Sequence, residues 1–372
     1  MAYAPIIKGR VQQIWHRNRG DSAQEIHGKC QADLIIGPDC PSTKTIDITH
    51  SCKEISMTTN QAVVVDQKAP GKLIIYDIAM PQPLPSEALV RVSAISLNRG
   101  ETRRSIQAED GWRPGWDLAG VVEQAAADGA GPHTGERVVG FLPDGAWAQY
   151  VAVPSHALAS LPDAVTFARA ATLPVAGLTA LYALAKRGQL LRRRVLITGA
   201  TGGVGDFAVQ LARLAGAHVV ASVRRADQVV EVQQVGADEV VIGDDIAAFA
   251  AHAPYDLVVE SLGGTALAAA LGSLAKDGVC VSLGISAADE STFDVRKFFT
   301  TGRATLYGFI LFDELHTEPA AVGLARLAGL IATGKLTPRI SVEAPWTQIA
   351  DVAGQLLDRS FPGKAVLHVG NH

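Results

Sequence analysis

The sequence predicts an α/β protein in which a β domain precedes a parallel, doubly wound sheet. The segment VLITGATGGVGDFAVQLARLAGAHVVASVRR, starting at Val195, runs strand, glycine turn, helix, strand in that order. Apolar runs at Val240 to Ile242, Leu257 to Glu260 and Val279 to Leu283, separated by Ala-rich helical stretches, supply further buried strands of one parallel sheet. Between Gln61 and Val153, short Val/Ile/Leu runs alternate with turns at PSE, DGAGPHTGE and LPDGA, and helical stripes are few.

In chain order, residues 1–56 mix Pro, Gly, His, Arg and Cys without a sustained period. They read as an extension outside any domain, with Met57 as the natural start. Residues 57–180 form the first part of the β domain, and residues 181–312 the doubly wound sheet. Residues 313–372 carry two helices, Ala320 to Thr333 and Trp346 to Arg359, and a last strand in GKAVLHV; they return to the β domain. The 372 residues, 48% hydrophobic, fill two cores at roughly 150 residues per domain.

A net charge of −4 and a charged fraction of 19% give no field that would gather nucleic acid. No apolar run reaches the ~20 residues of a membrane span and no secretion signal opens the chain, so a cytoplasmic protein without membrane partner is expected. Cys30, Cys40, Cys52 and Cys280 match no common zinc spacing; Cys280, inside an apolar run, reads as a buried strand residue.

Ala200, Gly202 and Gly205 occupy the three positions of a GxGxxG turn, with Thr201, Gly203 and Val204 between them. Small residues there let a pyrophosphate reach the backbone N–H groups of a helix N-terminus, so the turn is read as a dinucleotide site; the plain alternative is a structural glycine turn. The end of the next strand reads Ala221, Ser222, Val223, Arg224, Arg225, without the carboxylate an NAD site uses for the ribose hydroxyl. Guanidinium groups of Arg224 and Arg225 and the hydroxyl of Ser222 suit the extra phosphate of NADPH; the alternative is two solvated surface arginines. Leu262 and Gly284 follow later strands at the edge where such a cofactor lies.

With GATGGVG, the motifs PGWDLAGVV, GAWAQYVAVP, AATLPVAGLTALYAL, RKFFTTGRATLYGF and GKAVLHV make the chain from Met57 onward resemble the zinc-free quinone oxidoreductase (zeta-crystallin-like) branch of the medium-chain dehydrogenases/reductases. The resemblance implies a GroES-like β domain, completed by the C-terminal stretch, around a Rossmann-type domain. In zinc-dependent relatives a Cys, a His and a Cys hold the catalytic metal; the corresponding positions here are Asn98, Trp116 and about Val175, so no metal is expected.

Without a Lewis acid, electron-poor acceptors are the better substrates: a quinone or an α,β-unsaturated carbonyl, with an enoyl or alkenal double-bond reductase as the alternative. A protein that binds NADPH with little turnover, as a redox sensor or structural component, is the alternative of another class. By resemblance Asn98 and Thr179 lie near nicotinamide and substrate, as hydrogen-bonding groups, and Trp116 walls the pocket. Their ordinary readings are a turn Asn, a helix-internal Thr and a core Trp. Glu101 and Asp117 read as structural carboxylates near the cleft, and no His or Tyr general acid stands out. RGETRRS after Asn98 departs from the more aromatic family segment. Thr305 to Ile310 is, by resemblance, an edge strand that pairs across a homodimer. Lys364 reads as a solvated turn lysine, with a cofactor or domain contact as the alternative.

Overall fold

The computed structural model describes residues 59–370. The expected extension at 1–56 and Cys30, Cys40 and Cys52 lie outside the described residues.

The β-rich half starts with an antiparallel hairpin of Thr59–Val65 and Leu73–Ala79. Its main sheet has seven strands. Glu87–Ser96 lies centrally, pairing antiparallel with Asp117–Gln124, Tyr150–Pro154 and the last strand, Lys364–His368. That last strand also pairs in parallel with Ile340–Pro345, so the end of the chain is built into the middle of the first half. The period of two in GKAVLHV seats Ala365 and Leu367 in the core around Trp147, Ile95 and Leu118.

Between these segments lie six parallel strands: β1 (Arg194–Ile197), β2 (His218–Val223), β3 (Glu239–Ile242), β4 (Tyr255–Glu260), β5 (Leu274–Ser282) and β6 (Thr305–Gly308). Their spatial order is β3-β2-β1-β4-β5-β6, that of dinucleotide-binding sheets, with a switch point between β1 and β4. The unbroken apolar runs have a direct cause, because both faces are covered. Val195, Ile197, Val219, Ala221, Leu257 and Val259 face the helix Gly203–Leu214 through Phe207 and Leu211. Leu196, Val220, Val258 and Cys280 face the helix Gly264–Leu271 through Ala266, Ala269 and Ala270. Cys280 is fully buried and burial pushes its thiol well up, which makes it an inert packing residue.

One helix was not legible in the expected β region. Arg99–Gln107 presents a single large aliphatic residue, Ile106, and so carries no apolar stripe. Its signal is the cap instead: Asn98 precedes it, and Glu101 at the third helical position accepts the Asn98 backbone N–H at 2.8 Å. No helix among the described residues is long and apolar enough to cross a membrane.

At the far end of the parallel sheet, Glu239 accepts two bonds from Arg194 Nη2, at 2.9 and 2.8 Å, and contacts His218 Nε2 at 2.5 Å and His252 Nδ1. Burial alone would raise this carboxyl, but the bonds from His218, His252 and Arg194 outweigh it and hold its pKa at about 2. A folded-state value below the ordinary 4.5 means that the stabilisation is present above pH 4.5 and is lost as pH falls toward 2. Glu239→Gln is therefore expected to lower the melting temperature at pH 6, with the gap to wild type closing between pH 4.5 and 2; thermal denaturation across that range measures it.

Candidate active site

A cleft of about 630 Å³ opens between the β-rich half and the C-terminal edge of the parallel sheet. Thr201, Gly202, Gly203 and Val204 line it, as do Leu262 and Gly284 beyond β4 and β5. Glycine is required at Gly205, where a Cβ would stand 2.3 Å from the Gly199 carbonyl oxygen; the helix can start this close to β1 only without a side chain. At Gly202 a Cβ would meet only Gly199 O at 3.2 Å, so the space above the turn is open toward the cleft. A pyrophosphate cradle fits this backbone. Ala200 lies beneath the turn rather than in the cleft; it is buried, and its N–H donates to Ser222 O at 3.2 Å.

At the end of β2 the expected phosphate groups separate. Ser222 is buried and its hydroxyl donates to Gly243 O at 2.8 Å, so its proton is already committed. Arg225 pairs with Asp227 at 3.0 Å. Arg224 also lines the cleft, and its guanidinium has no carboxylate partner among the described residues. All three expected contacts line the cleft: Arg224 has no carboxylate partner among the described residues, Arg225 shares its charge with Asp227 at the exposed rim, and Ser222 has its hydroxyl proton on Gly243 O.

At the other end of the cleft the structure brings together Asn98, Trp116, Val175 and Thr179. Val175 and Thr179 come from a π-helical turn, Leu173–Gly177, running into the helix Leu178–Ala185. Asn98 is not free to bond a substrate as expected. Its Nδ2 donates to Glu101 Oε1 at 3.1 Å and to Asp117 Oδ2 at 2.9 Å, and its Oδ1 accepts from Lys364 Nζ at 2.5 Å. The amide is spent on the protein itself.

Lys364 is the larger correction. It is 3% exposed, and its ammonium donates to Leu97 O at 2.9 Å, Asn98 Oδ1 and Asp117 Oδ2 at 3.2 Å, which uses all three protons. Its stem crosses the nucleotide turn, where a Cβ on Gly203 would lie 2.8 Å from Lys364 Cδ. The adjoining Gly363 N–H donates to Thr201 O at 2.8 Å. The residue is a domain contact, not a solvated turn lysine. Asp117 Oδ1 accepts from Val175 N at 3.0 Å, so the same network fixes the π turn. Burial raises the Asp117 carboxyl, with Lys364 and Asn98 opposing. Glu101 rises well above the ordinary range through burial and then the Asp117 charge, opposed by Lys364.

Besides Glu101 Oε2 and Arg99 Nε, which are buried without a partner among the described residues, two polar groups near the substrate end are uncommitted. The Thr179 side chain, 6% exposed, has no hydrogen bond from its hydroxyl among the described residues. Trp116 Nε1 is buried without a partner. Its ring stands edge-on to Phe312, centroids 5.4 Å apart at 82°, and packs over Gly100, where a Cβ would be 2.7 Å from Cη2. Among the described residues, no three His, Cys, Asp or Glu side chains are grouped to hold a metal ion. An amide already bonded, an indole and an isopropyl group at Asn98, Trp116 and Val175 do not form a zinc donor set.

The residues missed by sequence reasoning are Arg99, Arg103 and Arg359, all in the cleft wall, and Phe312. Arg99 and Arg103 lie in the RGETRRS segment noted above, whose place in the cleft no local signal gave, and Arg359 is too distant in the chain for any spacing to bring it there.

Fold and cleft define a two-domain oxidoreductase class that binds a nicotinamide cofactor between a β-rich half and a doubly wound sheet. Residues 84–163 match the family described as alcohol dehydrogenase GroES-like domain, and residues 203–326 the family described as zinc-binding dehydrogenase. The chloroplast envelope quinone oxidoreductase homolog of Arabidopsis thaliana is 29% identical over 310 residues, covering 78% of this chain and 92% of that protein. Human quinone oxidoreductase is 27% identical over 313 residues, covering 78% and 92%. A solved mycobacterial protein complexed with NADPH is 27% identical with a TM-score of 0.75, covering 83% of this chain and 99% of that one. The chain belongs to the quinone oxidoreductase-like family of the medium-chain dehydrogenases/reductases.

Removing the ammonium from the Asp117 network leaves a buried carboxylate without its counter-ion. Lys364→Met is expected to cost about 3–5 kcal/mol in chemical denaturation, and Lys364→Met with Asp117→Asn should recover most of that loss.

Proposed function

We propose that this protein reduces quinones or α,β-unsaturated carbonyls with NADPH and does so without zinc. The observation that carries this reading is the pairing, in one cleft, of an open glycine turn with a substrate end whose Asn98, Trp116 and Val175 cannot ligate a metal. The unpaired charge of Arg224 at the end of β2 supports NADPH over NADH. The NADPH held by the mycobacterial neighbour and the names of the quinone oxidoreductase relatives point the same way.

Bound nicotinamide supplies a hydride. The chain supplies position and charge stabilisation. Gly202 and Gly203 leave room for the pyrophosphate, and the Gly363–Thr201 and Lys364 contacts fix that turn against the substrate end. Asn98, saturated by its neighbours, acts as a positioning residue. Trp116 and Phe312 form an apolar wall that excludes water, and the Thr179 hydroxyl is the free donor for an oxygen gaining negative charge. An acceptor already electron-poor needs no stronger electrophile than this hydroxyl. β6 forms one edge of the parallel sheet, and Leu306 and Ile310 on and beside it are 41% and 58% exposed, which supports pairing of two copies along this edge.

The test is oxidation of NADPH and NADH, followed at the nicotinamide absorbance band, against quinones, enones and simple aldehydes. NADPH-selective turnover of quinones or enones is expected; tight NADPH binding without turnover, or a preference for simple aldehydes, contradicts the reading. Thr179→Val is expected to lower kcat by about 10²-fold while leaving NADPH binding unchanged, measured by steady-state kinetics and a fluorescence titration.

A further inference from the structure

The rim of the cleft carries more positive charge than the reading of β2 accounts for. Arg99 and Arg103 come from the helix Arg99–Gln107, Arg359 from the end of the helix Ile349–Leu357, and Arg224 from the end of β2. All four line the cleft, and none has a carboxylate within ion-pair distance among the described residues. The neighbouring Arg225, also in the cleft lining, differs in pairing with Asp227 at the exposed surface.

Two of the four groups, Arg99 and Arg359, are held in place by hydrogen bonds. Arg99 donates to Leu356 O at 3.3 Å and Leu357 O at 3.5 Å, the last carbonyls of the helix that leads to Arg359. Arg359 in turn donates to Ser286 O, in the loop after β5, and so already crosses from one half of the molecule to the other. Arg99 Nε is buried without a hydrogen-bond partner. Burial, then repulsion from Arg359, Arg103 and Arg224, pulls the Arg99 pKa below its ordinary value. Burial, followed by Arg224 and Arg103, does the same to Arg359. These charges act on one another across the cleft, and a bound anion would relieve the repulsion.

We propose that Arg99, Arg103 and Arg359 complete, from the substrate half, the site for the cofactor's 2′-phosphate that Arg224 begins, so that one phosphomonoester ties the two halves together. This rests on the NADPH reading and extends it, because specificity is then set chiefly by residues outside the nucleotide fold. A phosphomonoester brings a charge of about −1.5 to −2 and three acceptor oxygens, which suits convergent guanidiniums far better than a single arginine.

The test uses the full chain and two nucleotide probes, adenosine 2′,5′-bisphosphate and 5′-AMP, titrated calorimetrically. Wild type is expected to prefer the bisphosphate, and Arg99→Gln/Arg103→Gln to lose about tenfold or more of that preference without losing affinity for 5′-AMP. Arg103 is exposed, so Arg103→Gln alone, and Arg103→Glu more strongly, carries the test if the double variant does not fold. Ligand-free Arg103→Gln should also melt at a higher temperature than wild type at low salt, with the difference vanishing at high salt. If wild type discriminates and Arg224→Gln abolishes the discrimination while the Arg99 and Arg103 variants keep it, the inference is overturned and the NADPH reading stands. If wild type does not discriminate, the NADPH reading fails, and this inference with it.

Discussion

The buried ammonium of Lys364 is the point at which the two halves and the site are joined. Three acceptors from two segments, Leu97 O, Asn98 Oδ1 and Asp117 Oδ2, saturate it. Its stem lies across Gly203, and its backbone belongs to the strand that completes the first-half sheet. An ion pair so deeply buried adds little net stability compared with a well-packed apolar pair, since desolvation offsets the Coulomb gain. What it fixes is geometry. Lys364 sets Asp117, Asp117 sets the π turn through Val175, and that turn delivers Thr179 to the cleft.

Chemistry follows from this constraint. A metal centre orients its substrate through its own coordination; on the zinc-free reading proposed above, side-chain geometry performs that task in this cleft. The network holds Asn98 with both amide atoms committed, and leaves Thr179, the indole of Trp116 and Glu101 Oε2 among the uncommitted polar groups nearby. On that reading the site suits acceptors that need orientation and modest charge stabilisation more than those that need strong polarisation.

The parallel sheet was legible because its signals are local: the strand, the glycine turn and the helix lie within about thirty residues, and strands covered on both faces read as continuous apolar runs. The last strand and the two C-terminal helices were readable for the same reason. The helix Arg99–Gln107 was hidden by its polarity, although the Asn98 and Glu101 cap marked it. Lys364 was misread because its partners lie up to 267 residues away, and a lysine beside a glycine is ordinarily at the surface. Asn98 lies in the cleft lining with its amide bonded to Glu101, Asp117 and Lys364, a saturation no spacing reveals. The Ser222 hydroxyl bond to Gly243, in the connection after β3, is likewise invisible to spacing.

The central claim is that this cleft moves a hydride without a metal. The most direct measurement is zinc content and quinone-dependent NADPH oxidation on one sample, before and after exhaustive dialysis against a chelator and again after zinc is restored. Undiminished turnover with zinc far below one equivalent per chain is the predicted result. Stoichiometric zinc whose loss and return carry the activity with them would contradict it.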